Sequence, residues 1–204
     1  MQGIQNIIFD LGGVILNIDN LITEKAFESM GARDFRLYFG HGFAASFFRD
    51  YEIGRISDTQ FIDQVRQLTG TSVPDQAIVK GWNAMLLDFP AERIDLLKKL
   101  GEKYTLYLFS NTNALHLAEL RNIYARTFDG GSLEAHFTKA YYSHLLRLRK
   151  PDLASFRHII EENKLDPRST LFIDDALVNV EGANAAGLVG YYLRPGMSIM
   201  EMPW

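Results

Sequence analysis

The sequence predicts an α/β fold in which strands and helices alternate around a parallel sheet, with a helical segment inserted after the first strand. From Pro90 onward, short apolar strands alternate with amphipathic helices, a pattern typical of parallel sheets with right-handed crossovers. Residues 18–87, in contrast, carry helical patterns and no convincing strand. We therefore expect an α/β core domain formed by residues 1–17 and 88–204, and a helical domain formed by residues 18–87.

The first strand is predicted close to the N-terminus, where the apolar residues 7–9 precede Asp10, a leucine and a glycine pair. This order is typical of a short buried strand that ends in a tight turn. The strand must join the later ones, because alone it could not satisfy its backbone groups. Asp10 then lies at the sheet edge where ligands and reactive groups gather, although an aspartate in a glycine-rich turn can be purely structural.

The remaining helices and strands are predicted from the spacing of apolar residues and from residues typical of helix ends. Inside the helical segment the clearest helix is 57–69, where Ser57 and Gln60 form a capping box and Gly70 ends the helix. Further helices are indicated at 22–30 and from Pro74. Later strands are predicted at 104–109, 140–142, 170–173 and 188–193. Later helices are predicted at 90–100, at 113–124, from Pro151 and at 177–186.

The composition narrows the possible functions. A net charge of −4 predicts no general attraction to nucleic acid or to an anionic membrane, so a phosphate-bearing substrate would need local groups or a cation. The absence of cysteine excludes disulfides, thiolate nucleophiles and cysteine–zinc sites, and it fits a reducing compartment. The sequence has no basic leader and no apolar run of membrane-spanning length. We therefore expect a soluble, cytoplasmic protein.

Polar residues follow two of the predicted strands. Ser110 and Asn111 come after the strand at 104–109, where a hydroxyl, an amide and free helix N–H groups together would bind a phosphate. A residue in this place can also simply cap the next helix. Asp174 and Asp175 end the strand at 170–173.

The aspartate pair is costly in a buried position. Two adjacent carboxylates repel each other and lose hydration, so they need a cation or a helix N-terminus. One aspartate would suffice as a helix cap. Asp10 together with Asp174 and Asp175 gives hard oxygen ligands of the type that Mg²⁺ takes.

Lys150 stands out from the basic run at 147–150. Arg147 and Arg149 are interpreted as part of a solvated loop, but Pro151 fixes the chain at a helix start and thereby fixes where Lys150 emerges. A lysine there would offset the charge of an acid pair and a phosphate.

Four motifs therefore stand in order along the chain. They are Asp10-Leu-Gly-Gly-Val, Ser110-Asn111, Lys150-Pro151 and Asp174-Asp175 with Asn179. Their order, spacing and strand-end location resemble the haloacid dehalogenase (HAD) superfamily, specifically members with a helical cap inserted after the first motif. The resemblance covers the whole chain and implies a Rossmann-like core. Residues 109–113, 149–152 and 172–176 with 179–183 are similar to the branch that holds bacterial glucose-1-phosphate phosphatases and the phosphatase domain of epoxide hydrolases.

The resemblance implies a role for each motif residue. Asp10 would attack phosphorus and form an aspartyl-phosphate. Mg²⁺ would be held by Asp10, the Gly12 backbone carbonyl and Asp175, with Asp174 supporting the metal site and Asn179 orienting it.

The other two motifs would bind the phosphate. Ser110 and the Asn111 amide would contact the transferring phosphoryl oxygens. Lys150 would hold Asp10 and the phosphate together.

One position departs from the family pattern. Most phosphatases of the superfamily carry a second aspartate two residues after the nucleophile as general acid and base, whereas this chain has Gly12. A general acid contributes about 10²–10⁴ in rate, so slow turnover is expected for poor leaving groups. An anomeric phosphate would be affected less, and the glucose-1-phosphate branch also shows glycine here. The acid/base residue is left unassigned.

The expected function is therefore Mg²⁺-dependent hydrolysis of a small phosphomonoester, with sugar phosphates as candidates, by a monomer or weak homodimer. Two alternatives stay open. A non-catalytic or weakly active phosphate-binding or regulatory protein would keep the fold and lose turnover through Gly12. A metal-independent haloacid dehalogenase is less favoured, because the chain retains Asp174 and Asp175.

Overall fold

The structure is a computed structural model that describes residues 1–32, 35, 46–70 and 72–204. The remaining positions, 33–34, 36–45 and 71, belong to the predicted helical domain and lie outside the described residues.

The described residues form a five-stranded parallel sheet, which confirms the predicted α/β fold. The strands are β1 (Asn6–Phe9), β2 (Thr105–Ser110), β3 (Lys139–Tyr142), β4 (Thr170–Asp174) and β5 (Val189–Tyr192). Their spatial order is β3-β2-β1-β4-β5, and each neighbouring pair is parallel. Because β1 is central and β2 and β4 flank it, the residues that follow these three strands meet at one edge of the sheet.

Helices cover both faces of the sheet. Those outside the predicted helical domain are α5 (Ala91–Gly101), α6 (Ala114–Thr127), α7 (Ser143–Leu146), α8 (Leu153–Asn163) and α9 (Leu177–Ala185). Side chains of β1 alternate between two cores, with Ile7 and Phe9 facing a cluster that includes Leu97, and Ile8 facing one that includes Phe156. Ile7, Ile8 and Phe9 are all fully buried, as expected for a strand covered on both faces.

Between β1 and α5 the chain forms the helices α1 (Asn20–Ser29), α2 (Ser46–Glu52), α3 (Asp58–Thr69) and α4 (Asp75–Asn83), here called the helical insert. These helices bury a separate, mainly aromatic cluster that includes Phe27, Phe48, Phe61 and Trp82. The predicted capping box at the start of α3 is confirmed, as is the left-handed glycine that ends it.

The two segments that join the helical insert to the sheet lie side by side. Ile18 and Leu86 form an antiparallel bridge. The Asn17 N–H donates to the Asp88 carbonyl at 2.9 Å, and the Leu87 N–H donates to the Asn17 carbonyl at 3.0 Å. The insert is thus attached through a short two-stranded ladder. The division into domains at residues 18 and 87 stays a prediction.

A helix that crosses a bilayer needs about 20 mainly apolar residues. None of the helices in the described residues is both long and apolar enough to meet that requirement.

Candidate active site

Asp10 lies immediately after the central strand, in a turn held by its own backbone. The Asp10 N–H donates to the Ile173 carbonyl of β4 at 2.9 Å, which continues the sheet pairing by one residue. After it, the Ile15 N–H donates to the Leu11 carbonyl at 2.8 Å, and Gly13 adopts a left-handed φ of 75°. Asp10 is nearly buried, with 8% of its surface exposed. The turn therefore fixes this carboxylate at the edge of the sheet.

Lys150 joins two carboxylates from different strands. Its Nζ lies 2.6 Å from Asp10 Oδ1 and 2.6 Å from Asp174 Oδ2. The lysine is 1% exposed, and its ammonium also lies 5.4 Å from the Phe109 ring centroid and 5.5 Å from that of Phe172. The structure thus brings together Asp10, Lys150 and Asp174, three of the residues singled out in the sequence.

The charges in this cluster do not balance. Burial raises the pKa of Asp10 to about 7, and the negative charges of Asp174 and Asp175 act in the same direction, while Lys150 opposes the rise. Burial alone would lower the pKa of Lys150, but the carboxylates of Asp10 and Asp174 raise it above its usual value. The Lys150 ammonium therefore stays charged, and a further cation at this site would offset the negative charge of Asp174 and Asp175 and favour the ionised form of Asp10.

The three carboxylates fit a divalent metal ion. One oxygen from each of Asp10, Asp174 and Asp175 lies within 4.8 Å of the other two. Gly13 leaves room for this arrangement, because a Cβ atom built on it would lie 2.1 Å from Asp175 Oδ2. Carboxylate and backbone carbonyl oxygens are suitable Mg²⁺ ligands, and Gly12 belongs to the same turn as Asp10.

Asp174 is oriented by the start of α9. Its Oδ1 accepts a hydrogen bond from the Ala176 N–H at 2.8 Å. The Asn179 side-chain amide donates to both Asp174 oxygens at 3.1 Å. Because Asp174 is fully buried, these bonds and Lys150 replace the water that it loses. Asn179 therefore contacts Asp174 directly, and its role in orienting a metal site stays a prediction.

Ser110 ends β2, the strand that pairs in parallel with β1, and Asn111 follows it. Ser110 is buried, with 5% of its surface exposed. The Asn111 side chain contacts the backbone of Lys150 in both directions, since its Nδ2 donates to the Lys150 carbonyl and its Oδ1 accepts from the Lys150 N–H, each at 2.9 Å. The helix cap that was an alternative for this segment is supplied by Asn113, whose side chain accepts from the His116 N–H.

The helical insert reaches the same edge of the sheet through Trp82, a contact that sequence reasoning missed. The Trp82 indole stacks on His116 with a centroid distance of 4.7 Å and donates to Asn113 Oδ1 at 3.3 Å. The His116 Nε2 lies 3.1 Å from the Trp82 carbonyl, so it carries the proton and donates. Burial lowers the pKa of His116 to about 4, which keeps the ring neutral. The sequence carried no signal for this pairing beyond two buried-type aromatic residues.

Comparisons with known proteins agree with this geometry. The family model for haloacid dehalogenase-like hydrolases matches residues 4–187. A D-ribitol-5-phosphate phosphatase from Bacteroides thetaiotaomicron is 28% identical over 177 residues, which is 87% of this chain and 85% of that protein. The sesquiterpene phosphatase astK from Aspergillus oryzae is 25% identical over 195 residues, 94% of this chain and 90% of that protein.

A solved structure of a related enzyme has the same fold as this chain. A mutant HAD family enzyme from Bacteroides thetaiotaomicron, crystallised with magnesium and inorganic phosphate, superposes with a TM-score of 0.89. The two sequences are 33% identical, and the match covers 95% of each chain.

Proposed function

The chain belongs to the haloacid dehalogenase-like hydrolases, and we propose that it is a Mg²⁺-dependent phosphatase of small phosphomonoesters, with sugar and polyol phosphates as its substrate class. The observation that carries the proposal is Lys150, which lies 2.6 Å from Asp10 Oδ1 beside three carboxylates suited to Mg²⁺. The phosphatase names of two curated relatives support phosphate ester hydrolysis, and the polyol phosphate named for one of them supports the substrate class.

In this proposal Asp10 is the nucleophile. Its carboxylate attacks phosphorus, the bond from phosphorus to the leaving oxygen breaks, and the leaving group takes up a proton from solvent and departs as an alcohol. Water then attacks the aspartyl-phosphate, which releases inorganic phosphate and restores the Asp10 carboxylate. The ammonium of Lys150 holds the carboxylate in place and offsets the charge that gathers on the phosphoryl oxygens.

Two further groups complete the proposed site. The Ser110 hydroxyl and the Asn111 backbone amide would donate to the phosphoryl oxygens. The metal would be held by Asp10, Asp175 and the Gly12 carbonyl, with Asp174 supporting them. When bound, Mg²⁺ supplies positive charge that screens the nucleophile from the phosphate.

Leaving-group protonation is the step for which position 12 supplies no side chain. We propose that the enzyme favours leaving groups more acidic than a simple alcohol, such as the anomeric oxygen of a sugar. The lack of an acidic side chain at position 12 also favours a second candidate function, in which the protein binds phosphate and metal with little turnover.

A phosphate-release assay tests the proposal. Purified protein with Mg²⁺ would be assayed against a panel that includes D-ribitol 5-phosphate and glucose 1-phosphate, beside Asp10→Asn and an EDTA control. Asp63→Asn serves as the matched control, because Asp63 is an exposed residue of α3 in the helical insert. Mg²⁺-dependent release that disappears only in Asp10→Asn is the expected result. Folded, metal-binding protein without release from any substrate would instead support the binding protein.

We also propose a cytoplasmic monomer or weak homodimer that needs neither nucleic acid nor a membrane surface. The lack of cysteine and the net charge of −4 support this proposal. Light scattering across a concentration series measures the oligomeric state, and a stable tetramer would contradict it. Residues 18–87 would act as a cap over the site, since Trp82 contacts Asn113 beside Ser110 and Asn111.

A further inference from the structure

We propose that the side chain of Asn111 is a positioning residue for Lys150, and that it fixes the lysine backbone rather than binding the phosphoryl group. This inference rests on the proposed function for its kinetic readout and on the geometry alone for its structural readout. It assigns to the Asn111 side chain a task different from the phosphate contact that the proposed function gives to the Asn111 backbone amide.

The first observation is the pair of hydrogen bonds. Asn111 Nδ2 donates to the Lys150 carbonyl and Asn111 Oδ1 accepts from the Lys150 N–H, both at 2.9 Å, between residues 39 positions apart. The acceptor and one donor of a single amide group are therefore engaged on one residue. A side chain held in this way would have to give up both bonds before it could turn toward a phosphate.

The second observation is where Lys150 lies in the chain. It belongs to the connection between α7, which ends at Leu146, and α8, which begins at Leu153, so no regular element holds its backbone. Within this loop the Asp152 N–H donates to the Arg149 carbonyl at 3.0 Å, and this hydrogen bond does not involve the backbone of Lys150. Asn111 instead fastens the Lys150 backbone to the end of β2, the strand that carries Ser110.

The third observation concerns how precisely the Lys150 ammonium is placed. A lysine side chain has four rotatable carbon–carbon bonds, yet the Lys150 ammonium lies 2.6 Å from an oxygen of Asp10 and of Asp174. The rings of Phe109 and Phe172 restrict the side chain, and Asn111 restricts the backbone from which it extends. A displacement of about 1 Å at a reacting group can cost on the order of 10² in rate, so this anchor matters for chemistry.

Asparagine can both donate to the Lys150 carbonyl and accept from the Lys150 N–H, whereas neither aspartate nor alanine can do both. Aspartate would keep the bond from the Lys150 N–H, but it would place a carboxylate oxygen against the Lys150 carbonyl. Alanine would leave both backbone groups of Lys150 without this partner. Asn111→Asp, which has the same shape, therefore tests the bonds, and Asn111→Ala tests the whole contact.

A double-mutant cycle separates positioning from phosphate binding. Asn111→Ala and Asn111→Asp are expected to lower kcat by about 10–100-fold, with the change in KM much smaller. In the Lys150→Met background, Asn111→Ala is expected to cause no further loss, because the residue acts through the lysine. A further loss of tenfold or more in that background would overturn the proposal. Asn122→Ala, an exposed asparagine of α6, is the control that should leave kcat unchanged.

Two measurements without turnover complete the test. Calorimetry with inorganic phosphate and Mg²⁺ should show that Asn111→Ala in the Lys150→Met background binds phosphate as tightly as Lys150→Met alone. Weaker binding would make the side chain a phosphate ligand and would overturn the proposal. A crystal structure of Asn111→Ala should show Lys150 Nζ moved away from Asp10, and an unmoved Nζ would also overturn it. If the wild type releases no phosphate at all, the proposed function fails while these two measurements still decide the inference.

Discussion

The side chain of Ile18 packs directly against Gly12, so that a Cβ atom built at position 12 would lie 3.1 Å from Ile18 Cδ1. Ile18 belongs to the ladder that joins the helical insert to the sheet, and it also packs against the core cluster that contains Ile7 and Phe9. The space into which a side chain at position 12 would extend is therefore lined by a methyl group. An aspartate introduced at position 12 would therefore make a close contact with Ile18, unless the side chain at position 18 is also made smaller.

The first prediction concerns this pair. We expect Gly12→Asp with Ile18→Val to raise kcat for a simple alkyl phosphate about tenfold or more, because a carboxylic acid could then protonate the leaving group. Gly12→Asp alone should gain less, since Ile18 Cδ1 must shift by a few tenths of an ångström. Rates for p-nitrophenyl phosphate, whose leaving group needs no proton, should hardly change in either variant. An equal gain with both substrates would contradict the explanation.

The second prediction concerns Gly13, which has a φ of 75° and faces Asp175. Gly13→Ala should raise the Mg²⁺ concentration for half-maximal activity at least tenfold, because its methyl group would displace the Asp175 carboxylate. Magnesium titrations of activity and calorimetry measure the effect.

Gly131→Ala is the matched control for this change. Gly131 has a comparable φ of 85°, but nothing lies within 4 Å of a Cβ atom there. It should therefore lose about 1–2 kcal/mol of stability from backbone strain without any change in the Mg²⁺ requirement. If both variants raised the Mg²⁺ requirement equally, backbone strain and not the contact with Asp175 would be responsible for the increase.

The third prediction concerns the stability that Lys150 provides. Lys150→Met should strongly lower the rate of phosphate release, to a small residual rate that can still be measured. It should also lower the free energy of unfolding by about 3–5 kcal/mol at neutral pH, because Asp10 and Asp174 would stay buried without their cation. Urea unfolding in EDTA measures the change. Lys139→Met removes an exposed ion pair with Glu162 and should cost at most about 1 kcal/mol. A loss of similar size in both variants would argue against a buried ion triad.

The fourth prediction concerns the pH dependence of stability at the contact between His116 and Trp82. Burial lowers the pKa of His116 from its ordinary value of 6.5 to about 4, so the folded protein favours the neutral ring. This contribution to stability is fully present above pH 6.5 and is lost as the pH falls toward 4. Between pH 7 and pH 5 the loss should be roughly 2 kcal/mol.

His116→Gln isolates that contribution, because it keeps a side-chain donor for the Trp82 carbonyl and cannot titrate. The difference in unfolding free energy between wild type and variant should shrink or reverse as the pH falls from 7 to 5. Other groups that titrate in this range affect both proteins and cancel in the comparison. A difference that stays constant with pH would mean that His116 takes up a proton without leaving its contact.

The sequence alone predicted the elements whose signals are local. The capping box of Ser57 and Gln60 and the glycine that ends the same helix lie within one stretch of chain, and the structure reproduces them. Strand ends are local signals too, so the sequence is enough to place Asp10 and Asp174 at the edge of the sheet. Their meeting at one edge followed because parallel strands align their carboxyl ends there.

Contacts between distant segments could not be predicted, because no local pattern encodes which side chains meet after folding. The sequence predicted that Asn111 binds a phosphate, but only the tertiary structure showed its side chain bound to Lys150, 39 positions away. The stack of Trp82 on His116 and the space that Gly13 leaves for Asp175 are of the same kind. The sequence by itself therefore determined the fold and the chemical groups of the site, through periodicity and end signals. Packing between segments far apart in the chain decided how those groups are held and charged.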